Sequence, residues 1–309
     1  MACKTLYLSQ PAKLKLKNSQ LHITLFNPPE ERTISLEELD LLILDHTYST
    51  LTLPLLSAIT SAHVAVIICN NKHLPQGLLL PITQHHIVNQ RVQLQASTPL
   101  PLKKQLWKKI IQEKIIQQAR LLHYTQTPHT AQKLRTYATQ VKSNDTTKRE
   151  AIAAQHYWPT LMGKKFIRHH RHSNLINQAL NYGYAIIRGA IARALTASGL
   201  LPILGLHHHN KYNPHPLADD IMEPYRPFVD QKVYNEISQS TNNELTLKQR
   251  ASLVKLLHEP CKISDKITTI DVAIQTTSNS LVQALQQKKP SQLTYPQLLP
   301  IPLQILLNP

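Results

Sequence analysis

The stretch PLPLKKQLWKKIIQEKIIQQARLLHY, residues 99–124, marks a change of periodicity in the chain. Its apolar residues recur at helical spacing, and lysines lie on the opposite side. The apolar stripe consists of Leu106, Ile110, Ile111, Ile115 and Ile116. The stretch therefore predicts an amphipathic helix that faces a core, and it separates two differently patterned parts of the chain.

The part before this helix has the pattern of short strands. KTLYLSQ (4–10) and KLKLKNSQLHITLF (13–26) alternate, and Asn18-Ser19 is the predicted turn of a strand pair. LDLLILDH (39–46) and HVAVIICNN (63–71) are continuous apolar runs, as in strands buried on both faces. A small helix is predicted between them. Residues 1–93 are therefore expected to form a small β-sandwich-like domain.

The part after residue 93 is dominated by helical periodicity. Further helices are predicted at KREAIAAQHYWPTLM (148–162), NLINQALNYGYAIIRGAIARALTASG (174–199), ADDIMEPYRPFVDQKVYNEI (218–237), TLKQRASLVKLLHE (246–259) and TTIDVAIQTTSNSLVQALQQ (268–287). We expect an α+β protein in which an all-α domain over residues 94–288 follows the β-rich one. Residues 289–309, rich in Pro, Leu and Gln, are expected to form a partly ordered tail.

The charge of the chain is strongly uneven. Lys and Arg number 34 against 18 Asp and Glu, a formal charge of +16. Residues 1–93 contribute +1 and residues 94–309 contribute +15, because residues 94–200 contain 17 basic and three acidic residues. A surplus spread over a hundred residues favours a long polyanion such as nucleic acid over a small phosphorylated substrate.

Several protein classes are disfavoured by what the sequence lacks. Six glycines without G-x-G-x-x-G or G-K-[ST] argue against a nucleotide-binding loop. Three scattered cysteines without C-x-x-C argue against a disulfide framework or a cysteine zinc site, which favours a reducing cytoplasm. No signal peptide is expected at the N-terminus. The apolar run 185–206 contains Arg188 and Arg193, so no membrane span is expected.

Three groups of residues are candidates for chemistry. Glu150 is an acid in a basic region, although Thr147 to Glu150 also has the pattern of a helix capping box. The second group is the histidine triplet 207–209, of which one member could bind a metal. Asp220 and Glu223 lie three residues apart, on one side of a helix, and either share a cation or form a solvated acidic turn. Together these groups would suit Mg²⁺ or Mn²⁺.

Three motifs then point to a family. KREAIAAQHYW (148–158), LNYGYAIIRGAIARAL (180–195) and GLHHHN (205–210) followed by DDIMEPYRPFVD (219–230) resemble the CRISPR-associated spacer integrases known as Cas1, in the form found in type II systems. LILDHTYSTLTLPLLSAI (42–59) and HVAVIICNNKHLPQGLLLPI (63–82) resemble the β-domain of that family. The likeness covers roughly residues 4–290.

The resemblance implies a β-rich dimerisation domain and a helical catalytic domain that binds a divalent metal. The implied metal-binding and catalytic residues are Glu150, His208 and Glu223, and Asp220 matches a supporting acid; His207 matches a position that need not be histidine. It implies an endonuclease and integrase that inserts short DNA fragments into the CRISPR array by 3′-hydroxyl transesterification. The implied partners are DNA, a second copy of the chain and the small second adaptation protein, with the type II effector nuclease as a further candidate.

Other roles are hypotheses with open alternatives. Arg226 could position a phosphate or brace Glu223. Aromatic residues near the motifs could stack on DNA bases, but core packing is the competing interpretation; they are Tyr157, Trp158, Tyr182 and Tyr184. Basic residues near the motifs could hold DNA phosphates or simply form a solvated face; they are Lys148, Arg149, Lys164, Lys165, Arg168, Arg171 and Arg226. The alternative function is a catalytically silent DNA-binding scaffold.

Overall fold

A computed structural model describes residues 4–81, 87–169, 174–208 and 211–300. The strands are β1 Lys4–Leu8, β2 Ala12–Lys17, β3 Gln20–Phe26, β4 Pro29–Ser35, β5 Leu39–Leu44, β6 Thr50–Leu51, β7 Ala65–Cys69, β8 Pro75–Leu79, β9 Pro260–Ile263 and β10 Lys266–Thr269. The helices are α1 Leu53–Ser61, α2 Val88–Ala96, α3 Leu100–Tyr124, α4 Pro128–Thr139, α5 Arg149–Met162, α6 Leu175–Ala197, α7 Pro216–Met222, α8 Arg226–Glu236, α9 Leu247–Lys255 and α10 Ile270–Gln286.

The N-terminal strands form two four-stranded sheets. One has the order β1-β5-β7-β8, with β1, β5 and β7 parallel and β8 antiparallel to β7. The other has the order β4-β3-β2-β6. The β2–β3 turn lies at Asn18 and Ser19, whose φ angles of 51° and 59° are the left-handed pair that tight hairpins require. The predicted α+β class and β-sandwich-like start of the chain are confirmed.

The central strands β5 and β7 of the first sheet are largely buried on both faces, which explains their continuous apolar runs. Leu42 and Val66 pack into a core that includes Leu14 from the second sheet. Ile43 and Ile67, which point to the other face, pack into the large core of the helical region. The sheet therefore links the strand-rich and helical parts.

The helical region is built around α3 and α6. Leu106, Ile110, Ile111 and Ile115 of α3 are fully buried, as the apolar stripe predicts. The hairpin β9–β10, which the helical periodicity did not predict, adds a two-stranded sheet to this region. None of the helices in the described ranges combines the length and the apolarity needed to cross a membrane.

The chain after α10 packs against α3 as far as Leu298. Leu293 and Leu298 are buried. The Gln117 side-chain amide donates to the Pro296 carbonyl at 2.8 Å and accepts from the Leu298 backbone N–H at 2.9 Å. This two-way pairing satisfies a buried amide and fixes the segment on the helix. The remainder of the predicted tail, 301–309, lies outside the described residues.

Candidate functional site

A buried lysine of α3 brings two of the predicted site acids together. The Lys114 ammonium donates to Glu150 Oε1 and to Glu223 Oε2, each at 2.5 Å. The lysine side chain is 12% exposed, against 33% for Glu150 and 6% for Glu223. Burial lowers the pKa of Lys114, but the Glu223 and Glu150 carboxylates outweigh burial and raise it above its usual value. The lysine therefore stays charged.

Glu150 is presented by the start of α5. Both oxygens of Asp145 cap this helix, accepting from the backbone N–H groups of Arg149 at 2.8 Å and Glu150 at 3.1 Å. Thr147 Oγ1 is buried without a hydrogen-bond partner. The capping-box interpretation of Glu150 is therefore wrong, because Asp145 already satisfies the helix start and leaves the Glu150 carboxylate free to pair with Lys114.

Glu223 follows α7, in a 3₁₀ turn before α8. Its Oε1 accepts from Arg226 Nε at 2.9 Å, and its Oε2 is the atom that Lys114 contacts. Burial raises the pKa of the Glu223 carboxyl, but Arg226 and Lys114 outweigh burial and lower the pKa to about 2. The carboxylate is therefore ionised at neutral pH. Of the two roles considered for Arg226, bracing Glu223 is the one the structure contains.

Asp220 organises the loop that carries the histidines. The carboxylate is fully buried and accepts from the backbone N–H groups of Leu206 at 2.6 Å, His207 at 3.0 Å and His208 at 3.2 Å. It also pairs with His208 Nδ1 at 2.6 Å. Both oxygens are thus committed to protein donors, which makes Asp220 a support for His208.

The pairing with Asp220 defines the state of the His208 ring. A carboxylate only accepts hydrogen bonds, so Nδ1 carries the proton and Nε2 is the ring atom left for a metal. The hydrogen bond to Asp220 raises the pKa of His208, and burial opposes this rise. Next to it, His207 stacks on Trp107, with ring centroids 4.1 Å apart and planes 2° apart. His209 lies outside the described residues.

The chemistry of these donors fits a divalent cation. Two carboxylates that share one cationic partner and an imidazole oriented by an acid are ligands that Mg²⁺ and Mn²⁺ accept. Over the described ranges, no three acidic, histidine or cysteine side chains already stand at metal-binding positions. In this structure Glu150 and Glu223 are held together by Lys114 instead.

A cleft of about 440 Å³ opens beside His208. Arg188 and Arg226 line it, together with Asp219, and Leu74 of the strand-rich region contributes one edge. Both arginines have acidic partners: Arg188 Nη1 lies 3.7 Å from Asp219 Oδ1, and Arg226 Nε donates to Glu223.

The predicted DNA-binding residues differ in the exposure of their side chains and in the contacts that these side chains make. Lys148, Lys164 and Lys165 are exposed. Arg168 instead donates to Asn177 Oδ1 at 2.9 Å and Asn181 Oδ1 at 2.6 Å. The guanidinium carbon of Arg149 lies 5.8 Å from the ring centroid of Tyr137, and that of Arg226 lies 4.5 Å from the ring centroid of Tyr184. Arg171 is outside the described residues.

The aromatic residues considered for base stacking belong mostly to the core. Tyr157, Tyr182 and Tyr184 are buried, and Trp158 is half-buried. Tyr157 and Tyr184 both donate to the buried carboxylate of Asp230, the former at 2.7 Å. Burial raises the pKa of Asp230 to about 6, in spite of these hydrogen bonds. Core packing is therefore the role that the structure supports for the three tyrosines.

Sequence reasoning missed Lys114 and Trp107. Lys114 follows Ile110 by four residues and Trp107 by seven, which places it on the same face of α3 as these two buried residues. That spacing was a usable signal, because a lysine on an apolar stripe needs a buried acidic partner. No local pattern identifies which acids those partners are.

Solved structures of other proteins share this fold. A casposase bound to integration product has a TM-score of 0.77 at 21% identity, covering 94% of this chain and 92% of its own. A chain of a Cas6-RT-Cas1–Cas2 complex has a TM-score of 0.74 at 19% identity, covering 96% of this chain and 36% of its own. The protein therefore has the fold shared by casposase and Cas1-containing chains.

The sequence comparisons are more specific. Residues 6–263 match the family described as CRISPR associated protein Cas1. The CRISPR-associated endonuclease Cas1 of Neisseria meningitidis serogroup C (strain 8013) is 37% identical over 302 residues, which cover 97% of this chain and 98% of that protein. The chain belongs to the Cas1 family, and the resemblance inferred from its motifs is confirmed.

Proposed function

We propose that the protein is a divalent-metal-dependent DNA endonuclease and integrase of CRISPR adaptation, which inserts short DNA fragments into the CRISPR array. The observation that carries the proposal is that Glu150 and Glu223, from distant segments, both contact the Lys114 ammonium. The proposal also draws on the match to the Cas1 family and on the 37% identical Cas1 endonuclease.

In this proposal Glu150 and Glu223 hold Mg²⁺ or Mn²⁺ through carboxylate oxygens, and His208 holds it through Nε2. When bound, the ion polarises the scissile phosphate and stabilises charge on the leaving oxygen. Asp220 keeps the imidazole proton on Nδ1, which leaves Nε2 available. Arg226 keeps Glu223 ionised and oriented.

The proposed reaction is a transesterification. A 3′-hydroxyl oxygen of the fragment bonds to a phosphorus of the target strand. The bond between that phosphorus and the 3′ oxygen of the preceding target nucleotide breaks. One phosphodiester bond forms as another is lost, and the hydroxyl proton passes to the leaving oxygen or to solvent. The reaction therefore needs no nucleotide cofactor, in agreement with a sequence that lacks phosphate-binding glycine motifs.

The proposed partners are DNA, a second copy of the chain, and a protein of the Cas2 type, with the type II effector nuclease as a further candidate. Solved relatives include a casposase bound to integration product and a complex of Cas1 with Cas2. The net charge of +16 favours association with a polyanion.

A strand-transfer assay tests the proposal. The protein and its Cas2-type partner are mixed with a short duplex bearing 3′-hydroxyl ends and a supercoiled plasmid that carries the repeat array. We expect joining with Mg²⁺ or Mn²⁺ and none with EDTA. Glu150→Gln, Glu223→Gln and His208→Ala should lower joining at least a hundredfold, whereas Glu244→Gln, at an exposed acid away from the site, should not.

Two outcomes would contradict the proposal. Joining that persists in the three site variants would move the chemistry elsewhere. DNA binding by wild type without any joining under these conditions would favour the scaffold alternative.

The DNA-binding role proposed for the exposed lysines needs a separate test. Reversing Lys164 and Lys165 to Glu should weaken DNA binding and reduce the slope of log affinity against log salt concentration by about two, one for each lost phosphate contact. Fluorescence anisotropy at several salt concentrations measures both quantities. An unchanged slope would remove these lysines from the DNA interface.

A further inference from the structure

Lys114 lies where its charge opposes the metal that the proposed function requires. Its ammonium contacts one oxygen of Glu150 and one oxygen of Glu223, and Arg226 contacts the other oxygen of Glu223. The charges of these two carboxylates are thus balanced by two cationic side chains. This balance reduces the attraction of Glu150 and Glu223 for an additional dication.

The two oxygens of Glu223 are not equivalent. Oε1 is engaged by Arg226 Nε at 2.9 Å, whereas Oε2 is the atom that Lys114 contacts. An ion bound by Glu223 without disturbing Arg226 must therefore use the oxygen that the ammonium now contacts. The lysine and the ion require the same atom.

We propose that Lys114 is an internal competitor of the metal: its ammonium holds Glu150 and Glu223 together in the metal-free protein and leaves them when the ion binds. This inference rests on the proposed function, because it takes these two acids as metal ligands. The flexible four-carbon stem of lysine lets the ammonium move while α3 stays in place. Lys114 thereby prevents repulsion between two partly buried carboxylates, and it weakens metal binding in return.

A metal titration without DNA tests the inference independently of catalysis. Free Mn²⁺ is measured by electron paramagnetic resonance as Mn²⁺ is added to wild type and to Lys114→Gln, which removes the charge and keeps a polar group. The matched control is Lys108→Gln, on the same helix but with its side chain lining the groove between α3 and α4. We expect the dissociation constant for Mn²⁺ to fall at least tenfold in Lys114→Gln and less than twofold in Lys108→Gln.

A measurement on the wild-type protein keeps the inference testable if Lys114→Gln fails to fold. Lysine amines are methylated with formaldehyde and a borohydride reagent, and the rate at Lys114 is followed by mass spectrometry. Because the ammonium is released from its two acids, saturating Mn²⁺ should raise the modification rate of Lys114 several-fold and leave that of Lys108 unchanged. An unchanged rate at Lys114 would overturn the inference.

The same titration separates this inference from the proposed function. If Glu150→Gln and Glu223→Gln abolish Mn²⁺ binding but Lys114→Gln binds no more tightly than wild type, Lys114 is not a competitor and the metal site stands. If wild type takes up no Mn²⁺, or if both Glu variants bind it normally, the proposed metal site fails and the inference fails with it.

Discussion

At the scale of single residues, Asp220 fixes both the loop and the ring of His208, the histidine proposed as a metal ligand. Its carboxylate accepts three backbone N–H groups from the loop 206–208 and pairs with the His208 ring. The loop conformation and the protonated ring atom therefore depend on the same side chain. A supporting acid of this kind affects metal affinity without touching the ion.

Asp220→Ala should both destabilise the protein and weaken the proposed metal site. The change leaves buried donors without an acceptor, which should lower the free energy of unfolding by about 3 kcal/mol. The affinity for Mn²⁺ should fall about 10- to 100-fold, because His208 loses its orienting partner. Urea unfolding and Mn²⁺ titration measure the two effects. Glu244→Ala, at an exposed acid, is the control, and an unchanged Mn²⁺ affinity in Asp220→Ala would contradict the supporting role.

Asp230 makes stability depend on pH. Its pKa is about 6 in the folded protein and near 3.8 when unfolded, so the folded state binds the proton more tightly. Stability should therefore fall as pH rises from about 4 to about 6, and this one group should cost about 3 kcal/mol at pH 7. Chemical unfolding across this pH range should show that Asp230→Asn lacks this pH-dependent loss of stability. If the free energy of unfolding changed with pH in the same way in wild type and variant, Asp230 would not have a raised pKa in the folded protein.

At the scale of elements, the close approach of α6 to α8 depends on Gly183. A Cβ atom built at this position would lie 2.5 Å from Val229 Cγ1. Because valine is short and stiff at χ1, it cannot move aside easily, and the helices must separate.

Gly183→Ala should therefore lower the free energy of unfolding by about 1–3 kcal/mol, the usual cost of overpacking a core. Thermal and urea unfolding measure this loss. In the double variant Gly183→Ala with Val229→Ala, the combined loss should be smaller than the sum of the single losses, since the clash is gone. Additive losses would mean that the two helices do not meet at this contact.

The elements also show what the sequence could and could not predict. Strong periodicity identified α3, α6 and α10, and the alternation with Asn18-Ser19 identified the β2–β3 hairpin. The charged strand β4 (PEERTIS) was missed because it is largely exposed and carries little apolar pattern. Helix α4 was also missed, although Ala131, Leu134 and Ala138 form a short buried stripe at helical spacing. Glu150 and Glu223 were predicted as site residues from the sequence. Their contacts with Lys114 could not be predicted, because the three residues lie in distant segments that only the fold brings together.

At the scale of the whole molecule, a buried ion pair ties the strand-rich part to the helical part. Asp45, which follows β5, is buried and accepts from Arg250 Nε of α9 at 2.9 Å. Tyr7 of β1 donates to the same carboxylate, and His73 Nδ1 lies 3.0 Å from it. Removing one partner of such a pair leaves a buried charge poorly compensated.

Arg250→Met should therefore lower the free energy of unfolding by about 3 kcal/mol. Differential scanning calorimetry should show a lower melting temperature, with a separate transition if the strand-rich part loses its coupling to the helices. Adding Asp45→Asn should recover part of the loss, because the uncompensated charge is removed. Equal melting temperatures for wild type and Arg250→Met would show that the pair contributes little.

Glu150, His208 and Glu223 are proposed to bind one divalent cation together. Anomalous diffraction from crystals grown with Mn²⁺ tests it most directly. We expect one strong peak about 2.0–2.3 Å from a Glu150 oxygen, Glu223 Oε2 and His208 Nε2, with the Lys114 ammonium moved away from both acids. A Mn²⁺ peak at other residues, or Lys114 still bridging Glu150 and Glu223 in crystals saturated with the ion, would contradict it.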